Sequence, residues 1–141
     1  KAEFGQGPDV LWAMSDGSFL LMEVAINFSP EREEITKEEV GELLNSINWF
    51  KQEYPEKKLT PILLHPFSTL AKDAFPPADT LILTPDDLSR LAAPVRNFSS
   101  ALTSKAPEAW TVTEVSDLIT SHDLAPRDVR SRFGGKQVKK S

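Results

Sequence analysis

Two carboxylates bracket a turn near the start of the chain. Asp9 follows Gly7-Pro8, and Glu23 lies late in the run LLMEVAIN, Leu20 to Asn27. Between them Ser15-Asp16-Gly17-Ser18 is turn chemistry, and Asp-Gly between apolar runs is a strong hairpin signal. With the turn near residues 16 and 17, the antiparallel partner of Asp9 falls near residue 24, so the two acids can converge at one end of a hairpin. Two carboxylates with the backbone carbonyl of Val24 make a hard-oxygen site of the kind Mg²⁺ takes. A metal so held activates water and stabilises a phosphoryl transition state. The plainer reading makes Asp9 a turn acid and Glu23 a single acid, buried or facing an edge. An ionised Glu in an apolar strand is costly unless something pairs with it. Strand alternation puts residue 25 on the same face as Glu23, and residue 25 is alanine.

The elements that must position these residues read as follows. Pro8 to Met14 and Phe19 to Ile26 form the hairpin, the second strand being apolar nearly throughout, as suits a strand covered on both faces. Thr36 caps a helix from Lys37 to Tyr54, with Glu39 completing a capping box and Pro55 ending it. Val40, Leu43, Leu44, Ile47, Phe50 and Tyr54 make its apolar stripe. Glu42, Ser46 and Trp49 make a second stripe off that face, and Asn45 and Asn48 are polar helical positions suited to solvation or phosphate contact. Leu59 to Leu64 reads as a third strand and Thr80 to Leu83 as a fourth. Thr84-Pro85 starts a helix that runs to Leu91, with Pro94 interrupting before helical character resumes over Val95 to Thr103. Thr113 to His122 and Arg127 to Phe133 read as later helices, and Gly134 to Ser141 as a basic, flexible tail. Strands joined through a helix predict an α/β chain with a mixed sheet and at least one crossover.

Composition narrows the function classes. At 141 residues the chain is one domain with a core of ordinary size. It has no cysteine, which excludes disulfides and thiolate metal sites and fits a cytoplasmic protein. A net charge of −5 argues against a non-specific DNA coat, though not against a local basic path. Lys57, Lys58, Arg127, Arg130, Arg132, Lys136, Lys139 and Lys140 could supply one. No run approaches the roughly 18 apolar residues of a membrane span. Two histidines and no nucleophile elbow leave Ser-His-Asp chemistry without support, and no P-loop is present. His65, alone at a strand end before proline, reads as structural, and His122 as a helix C-terminal residue. The opening KAEFGQ, without a methionine, reads as the start of a fragment of a longer chain.

Gly7-Pro8-Asp9, thirteen residues, then Glu23-Val24-Ala25 resembles the signature of the PD-(D/E)XK nucleases, the restriction-endonuclease-like superfamily. EFGQGPDVLWAMSDGSFLLMEV, with VGELLNSINWF and ILLHPFSTLAKDAFPP downstream, is similar to the nuclease-like domain at the C-terminus of some bacterial DEAD/DEAH-box helicase-like proteins. The resemblance spans Glu3 to Leu91. It implies a nuclease-like core over 1–91, a helical extension over 92–133 and the tail over 134–141. It implies a mixed central sheet flanked by helices and a Mg²⁺- or Mn²⁺-dependent DNA endonuclease, with Asp9, Glu23 and the Val24 carbonyl as metal ligands. It further implies DNA as partner and a helicase-like region in the parent chain, in phage defence or DNA processing.

Two positions depart from the pattern. The family's lysine, which orients or activates the attacking water, falls at Ala25, and a methyl group can do neither. The helix glutamine often found in the family falls at Glu42, whose carboxylate only accepts hydrogen bonds while ionised. Three accounts of Ala25 stay open: a substitution introduced to silence an enzyme, a natural pseudo-nuclease, or a lysine reaching in from elsewhere, with Lys37 the candidate. The rival from another class is a DNA-binding or protein-docking module that keeps the fold without catalysis.

Overall fold

A computed structural model of the chain describes residues 7–25, 31–133 and 136–137. Strands β1 (Val10–Ala13), β2 (Phe19–Val24), β3 (Leu59–Leu64), β4 (Leu81–Leu83) and β5 (Lys136–Gln137) lie in that order in one mixed sheet. The hairpin β1–β2 is antiparallel, β2–β3 and β3–β4 are parallel, and β4–β5 is antiparallel. The long helices are α1 (Lys37–Glu53), α2 (Pro85–Leu102) and α3 (Val112–Ser121). The fold is therefore α/β, with α1 as the crossover between parallel β2 and β3.

The hairpin closes where the sequence places it. Gly17 takes a left-handed φ of +76°, Met14 N–H donates to Ser18 at 2.8 Å, and the side chain of Asp16 accepts the Ser18 N–H at 2.9 Å. Register then pairs Val10 with Met22 and Ala13 with Phe19.

Alternation along β2 feeds two cores. Leu21 faces α1 with Val40, Leu43, Ile47, Phe50 and Leu63, while Leu20 and Met22 face Leu91, Leu124 and Val129 on the other side. Phe19, Phe50 and Tyr54 stack at the far end of α1, with ring centroids 5.1–5.4 Å apart. Pro61 sits inside β3 without harm. Odd positions of β3 direct their N–H groups toward β4, as His65 does to Leu83 at 3.0 Å, and β4 begins only opposite Ile62.

Several expectations are corrected. Helix α2 does not stop near Leu91; it runs through Pro94 to Leu102. Proline removes one hydrogen bond, to the Arg90 carbonyl, but the Thr84–Asp87 capping box and the packing of Leu91 and Phe98 hold the helix on both sides. Leu44 and Tyr54, expected on the core stripe, lie at its margin, each 37 % exposed, and Ser46 is buried in the phase of Leu43 and Ile47. The segment after α3 is helical as expected, but its character changes along it: one α-helical turn, Pro126–Asp128, runs directly into a π-helical turn, Val129–Phe133. Lys136–Gln137, expected in a flexible tail, pair with β4. Ile26, Lys139 and Lys140 lie outside the described residues.

Candidate metal-binding acid pair

Continuing the β1–β2 register one step past Val10–Met22 sets Asp9 directly opposite Glu23. The even positions of the hairpin are its hydrogen-bonding pairs, as the Met14–Ser18 bond shows, so the next such pair is Pro8 with Val24. Proline has no N–H to give the Val24 carbonyl, so the ladder stops there. The Val24 N–H goes to a side chain: Asp9 Oδ2 accepts it at 3.0 Å. The Pro-Asp dipeptide thus ends the strand pairing and sets a carboxylate beside Glu23. It also leaves the Val24 carbonyl facing a residue that cannot donate to it.

Glu23, 9 % exposed, lies on the α1 face of β2, where the Ser46 hydroxyl donates to its Oε1. Burial, the nearby charge of Asp9, its carboxylate within hydrogen-bonding reach, and the charge of Glu42 push the Glu23 carboxyl up to about 7, against the opposing Ser46 bond. At neutral pH the group is therefore poised between its two protonation states. Glu42 sits one turn before Ser46 on α1 and is itself exposed. Ala25 is half-buried just past β2, its N–H donating to the Leu64 carbonyl at 3.1 Å. Its methyl group shares the face of Glu23 by alternation.

The donor set fits a small hard cation. The Asp9 and Glu23 carboxylates and the Val24 carbonyl lie at one end of the hairpin, and carboxylates crowded enough to raise a pKa are relieved by a positive ion. Among the described residues no group of three or more His, Asp or Glu side chains converges, so the pair relies on the carbonyl and water for remaining ligands.

Other residues of interest are placed elsewhere. Lys37 is exposed and precedes Ser46 by nine helical positions, about 13 Å along the axis and half a turn out of phase. The structure therefore does not bring it to Glu23. His65 is 1 % exposed and structural in its bonding: Nδ1 lies 3.0 Å from the Phe67 N and 3.2 Å from the Phe67 carbonyl oxygen, and Nε2 lies 3.4 Å from Glu39 Oε1. Burial pushes the Glu39 carboxyl up, but the Thr36 N–H and hydroxyl and the His65 ring outweigh it and hold the group below its ordinary value. His122 is the C-cap of α3. Lys57 and Lys58 lie at the opposite end of the sheet, where Phe19 N–H donates to the Lys58 carbonyl at 2.9 Å. Arg130 is 3.2 Å from Asp16 at the hairpin turn. Arg132, bonded to Asp123 at 2.6 Å, and Arg90, paired with Asp87, line an open groove of about 800 Å³ beside the end of β4.

The Ser46–Glu23 bond was not read from the sequence. The signal was a serine in the phase of Leu43 and Ile47, where a buried hydroxyl must find a partner. The Glu39–His65 contact was missed likewise, since nothing in the spacing brings the start of α1 to the end of β3. No helix among the described residues is long and apolar enough to cross a membrane. Comparison with family models, with curated proteins and with solved structures yields no match to this chain.

Proposed function

We propose that this chain is a restriction-endonuclease-like nuclease domain whose acid pair, Asp9 and Glu23, holds Mg²⁺ or Mn²⁺, and whose chemistry is silenced at Ala25. The observation that carries the reading is the placement of Asp9 opposite Glu23 on adjacent strands, with Ala25 on the same face. DNA phosphodiester is the substrate class that the resemblance implies, and a bound cation supplies water activation and charge stabilisation there. The chain's own groups orient: Asp9 is fixed by the Val24 N–H and Glu23 by the Ser46 hydroxyl. On this reading the domain works in the cytoplasm beside a helicase-like region of its parent chain, in DNA processing or phage defence.

A second reading, a non-catalytic DNA-binding or docking module with the same fold, is favoured by one observation. Each acid already has a structural partner, Asp9 at the end of the ladder and Glu23 on α1. Thermal unfolding with and without Mg²⁺ or Mn²⁺ separates the two. A bound cation raises the melting temperature of this chain, and Asp9→Asn, whose amide oxygen still accepts the Val24 N–H, abolishes the rise. An equal rise in both proteins, or none in either, supports the second reading.

A further inference from the structure

We infer that the open groove beside the end of β4 seats the phosphate backbone of the DNA strand that reaches the acid pair, with Arg90 and Arg132 as its phosphate-binding residues. The inference rests on DNA as the substrate class proposed above. Register fixes where the groove lies. Glu23 pairs with Leu63 and Leu63 with Ile82, so the three form one row across parallel β2, β3 and β4 and share the α1 face. Ile82 lines the groove together with Ser68, Arg90 and Arg132. At about 4.8 Å between neighbouring strands, β4 stands about 10 Å from β2. Because the strands are parallel, the groove lies at the same end of the sheet as Glu23. A backbone laid along the strand ends passes from one to the other across the end of β3.

The groove presents its cations and withdraws one of its carboxylates. The side chains of Arg90 and Arg132 are 65 % and 56 % exposed, against 12 % for Asp87. Asp87 turns inward to accept the Thr84 N–H and hydroxyl and closes the start of α2, so the site is the two guanidinium groups and not the helix end. Each ion pair takes one guanidinium nitrogen, Nη2 of Arg90 for Asp87 and Nη1 of Arg132 for Asp123, and leaves donors for a phosphate. Exposed pairs of this kind are weak, so they hold the side chains in place without committing them. Asp86, exposed on the rim, opposes an anion. The other basic cluster, Lys57 and Lys58, follows Glu56 at the opposite end of the sheet and cannot lead a strand to Glu23.

The test is fluorescence anisotropy of a labelled random-sequence DNA duplex with the 141-residue chain, in chelator, at increasing KCl. The unaltered chain is compared with the double variant Arg90→Gln and Arg132→Gln, the double variant Arg90→Lys and Arg132→Lys, Asp86→Asn, and the double variant Lys57→Gln and Lys58→Gln. Circular dichroism and melting establish that each is folded. The expected result is that the glutamine pair at 90 and 132 weakens binding and flattens the slope of log affinity against log salt by about 2, one for each cation lost. The lysine pair keeps the slope, Asp86→Asn tightens binding, and the Lys57 and Lys58 changes leave the slope alone. An unchanged slope in the folded glutamine pair at 90 and 132 overturns the inference and leaves DNA as a partner, and so does an equal loss on replacing Lys57 and Lys58. Absence of binding by the unaltered chain overturns DNA as a partner and this inference with it. Chelator keeps metal and cleavage out of the readout, so failure of the acid pair as a metal site is told apart from failure of the groove.

Discussion

Glu23→Gln is the perturbation whose outcome follows most directly from the structure. The Glu23 carboxyl is raised from 4.5 to about 7, chiefly by burial and then by the carboxylates beside it. A carboxyl with a raised pKa stabilises the fold while protonated. Its contribution is complete below pH 4.5 and is lost as pH rises through about 7. At about 1.4 kcal/mol per pH unit, the shift corresponds to roughly 3 kcal/mol of stability lost by pH 8, most of it between pH 5 and pH 8. Glutamine keeps an oxygen for the Ser46 hydroxyl and cannot ionise. The variant therefore matches the unaltered chain near pH 5 and exceeds it by about 2–3 kcal/mol at pH 8. Urea unfolding of both proteins at several pH values between 5 and 8, in chelator, reads the difference, in which the titrations of groups remote from Glu23 cancel. Parallel stability curves for the two proteins refute the argument that Glu23 is a strained, buried acid.

The remaining predictions concern the scaffold. Leu21→Ala, at a fully buried position between β2 and α1, costs about 2–5 kcal/mol and lowers the urea midpoint without changing its slope. Glu39→Ala removes the reciprocal cap with Thr36 and costs about 1–2 kcal/mol at neutral pH by the same assay. Because the Glu39 carboxyl is held below its ordinary value, that cost shrinks as pH falls through its titration; a cost independent of pH contradicts the cap.

How much of this was legible in the sequence differs by element. The hairpin was, because Asp16-Gly17 fixes the turn and the turn fixes the register, and register alone sets Asp9 against Glu23. The caps of α1, α2 and α3 were legible in part: Thr36 and Glu39 announce themselves, while Thr111, which caps α3 with Glu114, lies before the Thr113 start that the sequence suggests. Continuation of α2 through Pro94 was not legible, since local steric cost argues for a break and only packing on both sides overrides it. The burial of Ser46 in place of Leu44 was not legible either. Helical phase is known from sequence to within about a residue, and which edge of the apolar face turns inward depends on how the helix crosses the sheet. The role of Pro8 became visible only with the register: it withholds the N–H that the Val24 carbonyl would have accepted and so ends the ladder.

The measurement that bears most directly on the central claim is plasmid nicking in Mg²⁺ and in Mn²⁺ by this chain and by Ala25→Lys. A lysine at 25 shares the strand face of Glu23 and supplies the cation that the chain has as a methyl group. Loss of one such electrostatic partner typically lowers rate on the order of 10²–10³-fold. The account predicts no detectable nicking by the chain as it stands and metal-dependent nicking by Ala25→Lys, abolished again when Asp9→Asn is added. Nicking by the unaltered chain at the rate of Ala25→Lys contradicts the assignment of position 25, and silence from both contradicts the nuclease reading of this chain.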